Sequence, residues 1–304
     1  MGRKNNGLNY FSKRKENMEK AQEIVQWEER NCKEEIKDLV KRTELIQDTG
    51  TMHSGPCKFE QPEVEVVQCS TVNAIMAEYA KGNRVCALNF ASYKNPGGMF
   101  LEGSMAQEES LCHASLLYPV LNSTQVRTIF YDRHQGNLNK ALYRSDMLYT
   151  PDIPFWQHGE EAKASIITCA APNKKAAQKY QGVPDAVCKE AMEERIAAVL
   201  NAAHSKGEEV LILGAFGCGV FGNDVREVAE IFRDELNLLF YGTFRRIVFA
   251  VLDEPSCKIM KEVLIRIEAQ IPFVRCDCEK EIIFKDRNFT DGDRNLHTSS
   301  CNQG

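Results

Sequence analysis

Five short β-rich runs dominate the chain from about residue 63 onward: VEVVQCS from Val64, RVCALNFAS from Arg84, ASIITCAAP from Ala164, EEVLILGAF from Glu208 and RRIVFAVLD from Arg245. Each is followed by a turn and, in most cases, by a stretch with helical spacing. Pro184 opens one such stretch, with Cys188, Met192, Ile196, Val199 and Ala203 on one face. Asp224 and Glu227 form a capping box ahead of Val225, Val228, Phe232, Leu236 and Leu239. Strands that alternate with amphipathic helices must bury both sheet faces under helices, so the pattern predicts a three-layer α/β sandwich. Its expected extent is 61–270. Before it, residues 10–50 place Met18, Ala21, Ile24, Val25, Trp27, Ile36, Leu39 and Val40 near helical spacing among lysines and glutamates, so 1–60 is expected to form accessory helices. Residues 126–157, with aromatics, glycine, asparagines and two prolines, read as a surface insertion with extended pieces, and 271–304 as an irregular tail.

Of 304 residues, 43% are apolar, enough for one main core. A net charge of -5 argues against a DNA-binding or membrane-surface role, since both need a basic face. The chain carries no run of roughly 18 apolar residues and no secretory signal, which predicts a cytoplasmic protein without a membrane partner. Its twelve cysteines are dispersed, several within strand-like runs, and are expected to be reduced thiols used as small buried residues. Cys276 and Cys278 form a CxC pair with no second pair and only an isolated His297 beyond, too few ligands for a zinc site.

Ligands of an α/β sheet bind beyond the carboxyl ends of the strands. Two loops have the composition for that. GAFGCGVFGND holds Gly214, Gly217, Gly219 and Gly222 directly before the capped helix, a backbone able to turn N–H groups toward a phosphate or diphosphate. Its GCGVFG also matches GxGxxG. However, the acid at the end of the next strand, Asp253, lies 36 residues beyond Gly217 rather than about 20, which disfavours a nicotinamide dinucleotide. The other loop, NFASYKNPGGMFLEGSMAQEES, offers Asn95, Pro96, Gly97 and Gly98. Ser104 and Gln107 then read as a capping box that starts a helix with Glu108 and Glu109 near its first turn.

Acids at a helix start are ordinary occupants of its positive end. Helical spacing singles out Glu109, on the row of Met105, Cys112 and Leu116, whereas Glu108 lies about 100° around the axis. A carboxyl among apolar neighbours holds its proton to higher pH and can act as a general acid. His113, one turn on, is expected to be structural, and His134, His158 and His204 lack metal spacing. A phosphate cradle beside a proton donor points to glycosidic chemistry on a phosphorylated sugar.

NPGG, the later QEES and then GAFGCGVFGN, in this order over about residues 60–270, closely resemble the bacterial-type poly(ADP-ribose) glycohydrolases, a macrodomain family. The resemblance implies a macrodomain-like three-layer α/β/α sandwich with a mixed sheet, and hydrolysis of the ribose–ribose bond of poly(ADP-ribose), or of chains on ADP-ribosylated proteins, releasing ADP-ribose. It implies no metal and no cofactor. Carried over residue by residue, the catalytic glutamate is Glu109, and Glu108 and Asn95 contact ribose. Gly97 and Gly98, with Gln107 beside the acids, line the ligand. Gly217, Cys218, Gly219, Val220 and Phe221 flank the diphosphate, with Phe221 orienting the distal ribose. The third glycine of the family's run is Met99 here, and the adenine position is assigned to the loop at Ser70 and Thr71. Two alternatives stand beside this reading: a macrodomain that binds ADP-ribose without turnover, and a hydrolase of a small ADP-ribose derivative.

Overall fold

Four of the five β-rich runs are apolar on both faces, which only a sheet covered on both sides accommodates; the first, VEVVQCS, exposes Glu65 and lies at the edge of the sheet. The computed structural model describes residues 4–47, 57–60 and 62–264. In chain order these form α1 (Lys4–Asn31), α2 (Lys33–Arg42), β1 (Glu44–Ile46), β2 (Glu63–Val67), α3 (Thr71–Ala80), β3 (Val85–Phe90), α4 (Gln107–His113) and α5 (Leu117–Leu121). Next come α6 (Thr124–Val126) and α7 (Asp132–His134), separated by the π-helical turn Arg127–Tyr131. After a short 3-10 turn at Asn139–Ala141 follow β4 (Met147–Gln157), β5 (Glu160–Cys169), α8 (Lys174–Gln181), α9 (Asp185–Ser205), β6 (Val210–Leu213), α10 (Val225–Leu238), β7 (Arg246–Ala250) and α11 (Glu254–Leu264).

The strands make one mixed sheet in the order β1-β4-β5-β3-β6-β7-β2. β5, β3, β6, β7 and β2 run parallel, whereas β4 pairs antiparallel with both β5 and β1. Period-two alternation divides the core between the faces. Val85 and Ala87 join Ala21, Leu39, Ile75, Leu111 and Leu117 under α1 to α5, while Cys86 and Leu88 join Met192, Ile196, Phe232 and Met260 under α9 to α11. This is the α/β/α sandwich expected. Its central strand, β3, carries Asn89 fully buried at its carboxyl end, an exception inside the apolar run.

Two expectations are corrected. Residues 126–157 are not a surface insertion: they hold the helical turns up to α7 and then β4, whose Met147, Leu148, Tyr149 and Phe155 are core residues. The prolines that suggested a loop occupy places where a strand tolerates them. Pro151 and Asp152 lie in a bulge where the register with β5 shifts. β1 covers only Met147 to Tyr149, and beyond it β4 meets a single antiparallel bridge, Ser115 to Phe155, rather than another strand. Trp156 N–H points outward there, to Ala114 O at 2.8 Å, and Pro154, two residues earlier, turns its missing donor the same way. Second, α4 starts at Gln107 with Ala106 as its cap position and no side-chain cap, so Ser104 and Gln107 form no capping box. By contrast, Asp224 caps α10 by accepting the Glu227 N–H at 3.0 Å, although the Glu227 carboxylate takes the Lys174 ammonium rather than closing the box.

No helix among the described residues is long and apolar enough to cross a membrane. No disulfide joins any two of the nine described cysteines, while Cys276, Cys278, His297 and the 271–304 segment lie outside the described residues.

Candidate active site

β3 ends in the centre of the sheet and its loop must return over the strand ends to reach α4. Gly97 and Gly98 permit this with φ of +67° and +63°. They also allow contact: a Cβ on Gly97 would stand 2.7 Å from the Tyr118 ring, and one on Gly98 would stand 2.6 Å from Glu109 Oε1 and 3.0 Å from Glu108 Oε2. The loop is thus laid directly on the two carboxyls, which are 3% and 5% exposed for Glu108 and Glu109.

The two acids are held differently. Glu108 Oε2 accepts the Ser92 N–H at 2.7 Å, and Oε1 accepts Asn89 Nδ2 at 3.3 Å. Burial pushes its carboxyl up to about 8; the Ser92 and Asn89 donors pull against that rise and the neighbouring Glu109 charge adds to it. Glu109 Oε1 accepts the Met99 N–H at 2.9 Å, while its buried Oε2 has no hydrogen-bond partner. One carboxyl is therefore locked on both oxygens, and the other keeps one oxygen free. Gln107 is a strut: its oxygen accepts the Phe90 N–H at 2.8 Å, and its amide donates to Leu88 O at 2.8 Å and Thr71 Oγ1 at 3.2 Å. Asn95 is exposed at the loop's outer edge.

The β6–α10 loop divides its glycines by task. Gly214 is required by packing, since a Cβ would lie 2.6 Å from Ala250 O. Gly217, at φ +73°, is pressed on Ala171, and Asn223 Nδ2 bridges Gly217 O and Pro172 O at 2.9 Å each. Gly222 packs on the Lys175 stem, and only Gly219 faces open space. Val220 is 83% exposed, and Phe221 sets its ring against Tyr143 with centroids 6.0 Å apart. Burial pushes the Cys218 thiol up to about 12, which keeps it protonated and unreactive as a nucleophile.

The family model described as "Microbial-type PARG, catalytic domain", PARG standing for poly(ADP-ribose) glycohydrolase, matches residues 14–158. The chain is also 31% identical to the poly(ADP-ribose) glycohydrolase of Thermomonospora curvata bound to the inhibitor ADP-HPD, with a TM-score of 0.70 over 82% of this chain and 99% of that one. The chain belongs to the microbial-type poly(ADP-ribose) glycohydrolases. A second T. curvata glycohydrolase structure gives 30% identity and a TM-score of 0.72 over 83% and 99% of the two chains. The glycohydrolase of Deinococcus radiodurans in complex with ADP-ribose gives 32%, 0.68, and 75% and 96%. No curated protein matches the chain.

The structure brings Gly97, Gly98, Glu108 and Glu109 together. Met105 is half exposed and lies before α4 begins, so the row that singled out Glu109 does not exist as a helical stripe. What separates the two acids is their hydrogen bonding. Ser70 is the cap of α3 and Thr71 is buried beneath Gln107, which gives both structural tasks. His113 is half-buried with its ring edge-on to Phe100, and no hydrogen bond joins it to Glu109. Asn89, Ser92 and Asn223 were missed. A lone Asn at the end of VCALNF was the available signal, because an apolar strand retains a buried amide only where something bonds to it.

Proposed function

We propose that this glycohydrolase cleaves the ribose–ribose O-glycosidic bond of poly(ADP-ribose) and releases ADP-ribose, with Glu109 as general acid and then general base. The observation that carries this is the buried Glu109 Oε2 without a partner, beside an Oε1 fixed by the Met99 amide. A protonated Oε2 gives its proton to the glycosidic oxygen as the bond to the anomeric carbon breaks, and the shortened chain leaves with a hydroxyl. The carboxylate left behind faces the oxocarbenium ion; it then takes a proton from water as the water oxygen joins the anomeric carbon, which restores the acid.

Glu108 supports the step as a ribose-contacting neighbour whose burial favours its neutral form, which limits the negative charge next to Glu109. Asn95 is assigned to ribose, and Gly97 and Gly98 to the diphosphate and distal ribose. The Gly217–Phe221 backbone, closed by the N-terminus of α10, is assigned to the diphosphate, and the Phe221 ring to the distal ribose face. The proposed compartment is the cytoplasm, in keeping with the lack of a disulfide among the nine described cysteines, and the proposed partners are ADP-ribosylated proteins rather than DNA, in keeping with the net charge of -5. The test is chromatography of purified poly(ADP-ribose) after incubation with the protein. Free ADP-ribose is expected; its absence, with ADP-ribose binding intact, would make the protein a reader of the polymer instead.

A further inference from the structure

Next to the site, beyond Phe221, lies a cavity of about 300 Å³ lined by Asn137, Asn139, Tyr143, Arg144, Glu194 and Arg195. That volume is at the lower end of small-ligand sites. Three features set it apart. Arg195 is 2% exposed, and no carboxylate of the described residues forms an ion pair with it; its guanidinium donates to Ser145 Oγ at 3.2 Å, to Leu142 O at 3.1 Å and to Ala170 O. A buried guanidinium held by neutral oxygens, with the Glu194 carboxylate on the same cavity wall beside the Arg144 and Arg195 charges, leaves the lining with more basic than acidic side chains, which favours an anion there. The wall itself is strained: Asn139, Lys140, Ala141 and Tyr143 all have φ between +42° and +69°, a conformation costing about 1–2 kcal/mol per non-glycine residue. Arg195 and Asn139 Nδ2 hold this turn at Leu142 O and Tyr143 O. Finally, one lining ring, that of Tyr143, joins the cavity to both site loops. Tyr143 stacks on Tyr93 of the β3–α4 loop at 4.3 Å and meets Phe221 of the β6–α10 loop, and Ala170 follows directly on β5.

We propose that this cavity is a second subsite, which takes a phosphate group of the ADP-ribose unit on the leaving side of the scissile bond. Arg144, half exposed and only loosely paired with Asp146 at 3.7 Å, supplies the accessible charge; Arg195 supplies the buried one. The inference rests on the glycohydrolase reading and adds that the enzyme senses polymer rather than only its terminal unit.

Two substrates with the same bond to ADP-ribose separate these claims: poly(ADP-ribose), and an O-aryl glycoside of ADP-ribose that lacks the next unit's phosphates. Arg144→Ala should raise KM for polymer about tenfold, the size of one charge-assisted hydrogen bond, leave kcat little changed, and leave KM for the glycoside within about twofold. Arg144→Lys should recover part of the loss. An equal rise for both substrates would mean that the cavity acts on the primary site, for instance by holding a free nucleotide, and would overturn the proposal, as would an unchanged KM for polymer. A wild type that cleaves neither substrate would instead defeat the glycohydrolase reading, and the subsite with it.

Discussion

Gly98 is the residue on which the two acids most depend. Its left-handed backbone lets the loop pass over both carboxyls, where a methyl group would overlap Glu109 Oε1. Gly98→Ala should lower kcat at least about tenfold through displacement of the Met99 amide, with a stability loss of about 1–2 kcal/mol from the backbone conformation, read by steady-state kinetics and thermal melting. Unchanged kcat would show that Glu109 does not need the loop. Met99 itself is not among the residues with positive φ. Its backbone therefore demands no glycine, and its half-exposed side chain points away from the core while its amide does the orienting. The sequence reveals that the side chain is a methionine, but the amide that matters is the same in every residue type except proline.

At the scale of elements, α1 acts as a brace. Arg14 Nε donates to Glu102 O at 2.7 Å and Asn17 Nδ2 to Gly103 O at 3.3 Å, and a Cβ on Gly103 would meet Arg14 O at 2.3 Å. The accessory helix thus lies backbone to backbone on the loop that orients Glu109. Gly103→Ala should push the two apart, lowering the melting temperature and kcat together; a variant that melts lower at full kcat would reduce α1 to a purely stabilising role. The elements themselves were legible wherever one local pattern sufficed: β2, β3, β5, β6, β7, α9 and α10 all lie where periodicity and caps placed them. β4 was hidden because its tolerance for Pro151 and Pro154 depends on how far β1 extends beside it, a tertiary fact. The three-residue β1 is too short for any periodicity to show.

On the scale of the whole molecule, buried carboxyls tie stability to pH. Glu28, on α1, is pushed up to about 8, mainly by burial and then by the neighbouring Glu29 charge. The native state therefore holds a proton that the unfolded chain releases near 4.5, so this group's contribution is complete below about 4.5 and is lost as pH rises through about 8. Glu28→Gln should gain relative to wild type by up to about 1.4 kcal/mol per pH unit across that window, measured by chemical denaturation at pH 5 and pH 8. A constant difference would mean that Glu28 is already ionised in the fold. The chemistry is more direct to test. ADP-ribose release from poly(ADP-ribose) by Glu109→Gln, with ADP-ribose affinity measured alongside, should fall by at least about 100-fold while binding stays within a few-fold of wild type. Near-normal release by Glu109→Gln would contradict the central claim and move the proton transfer to another group.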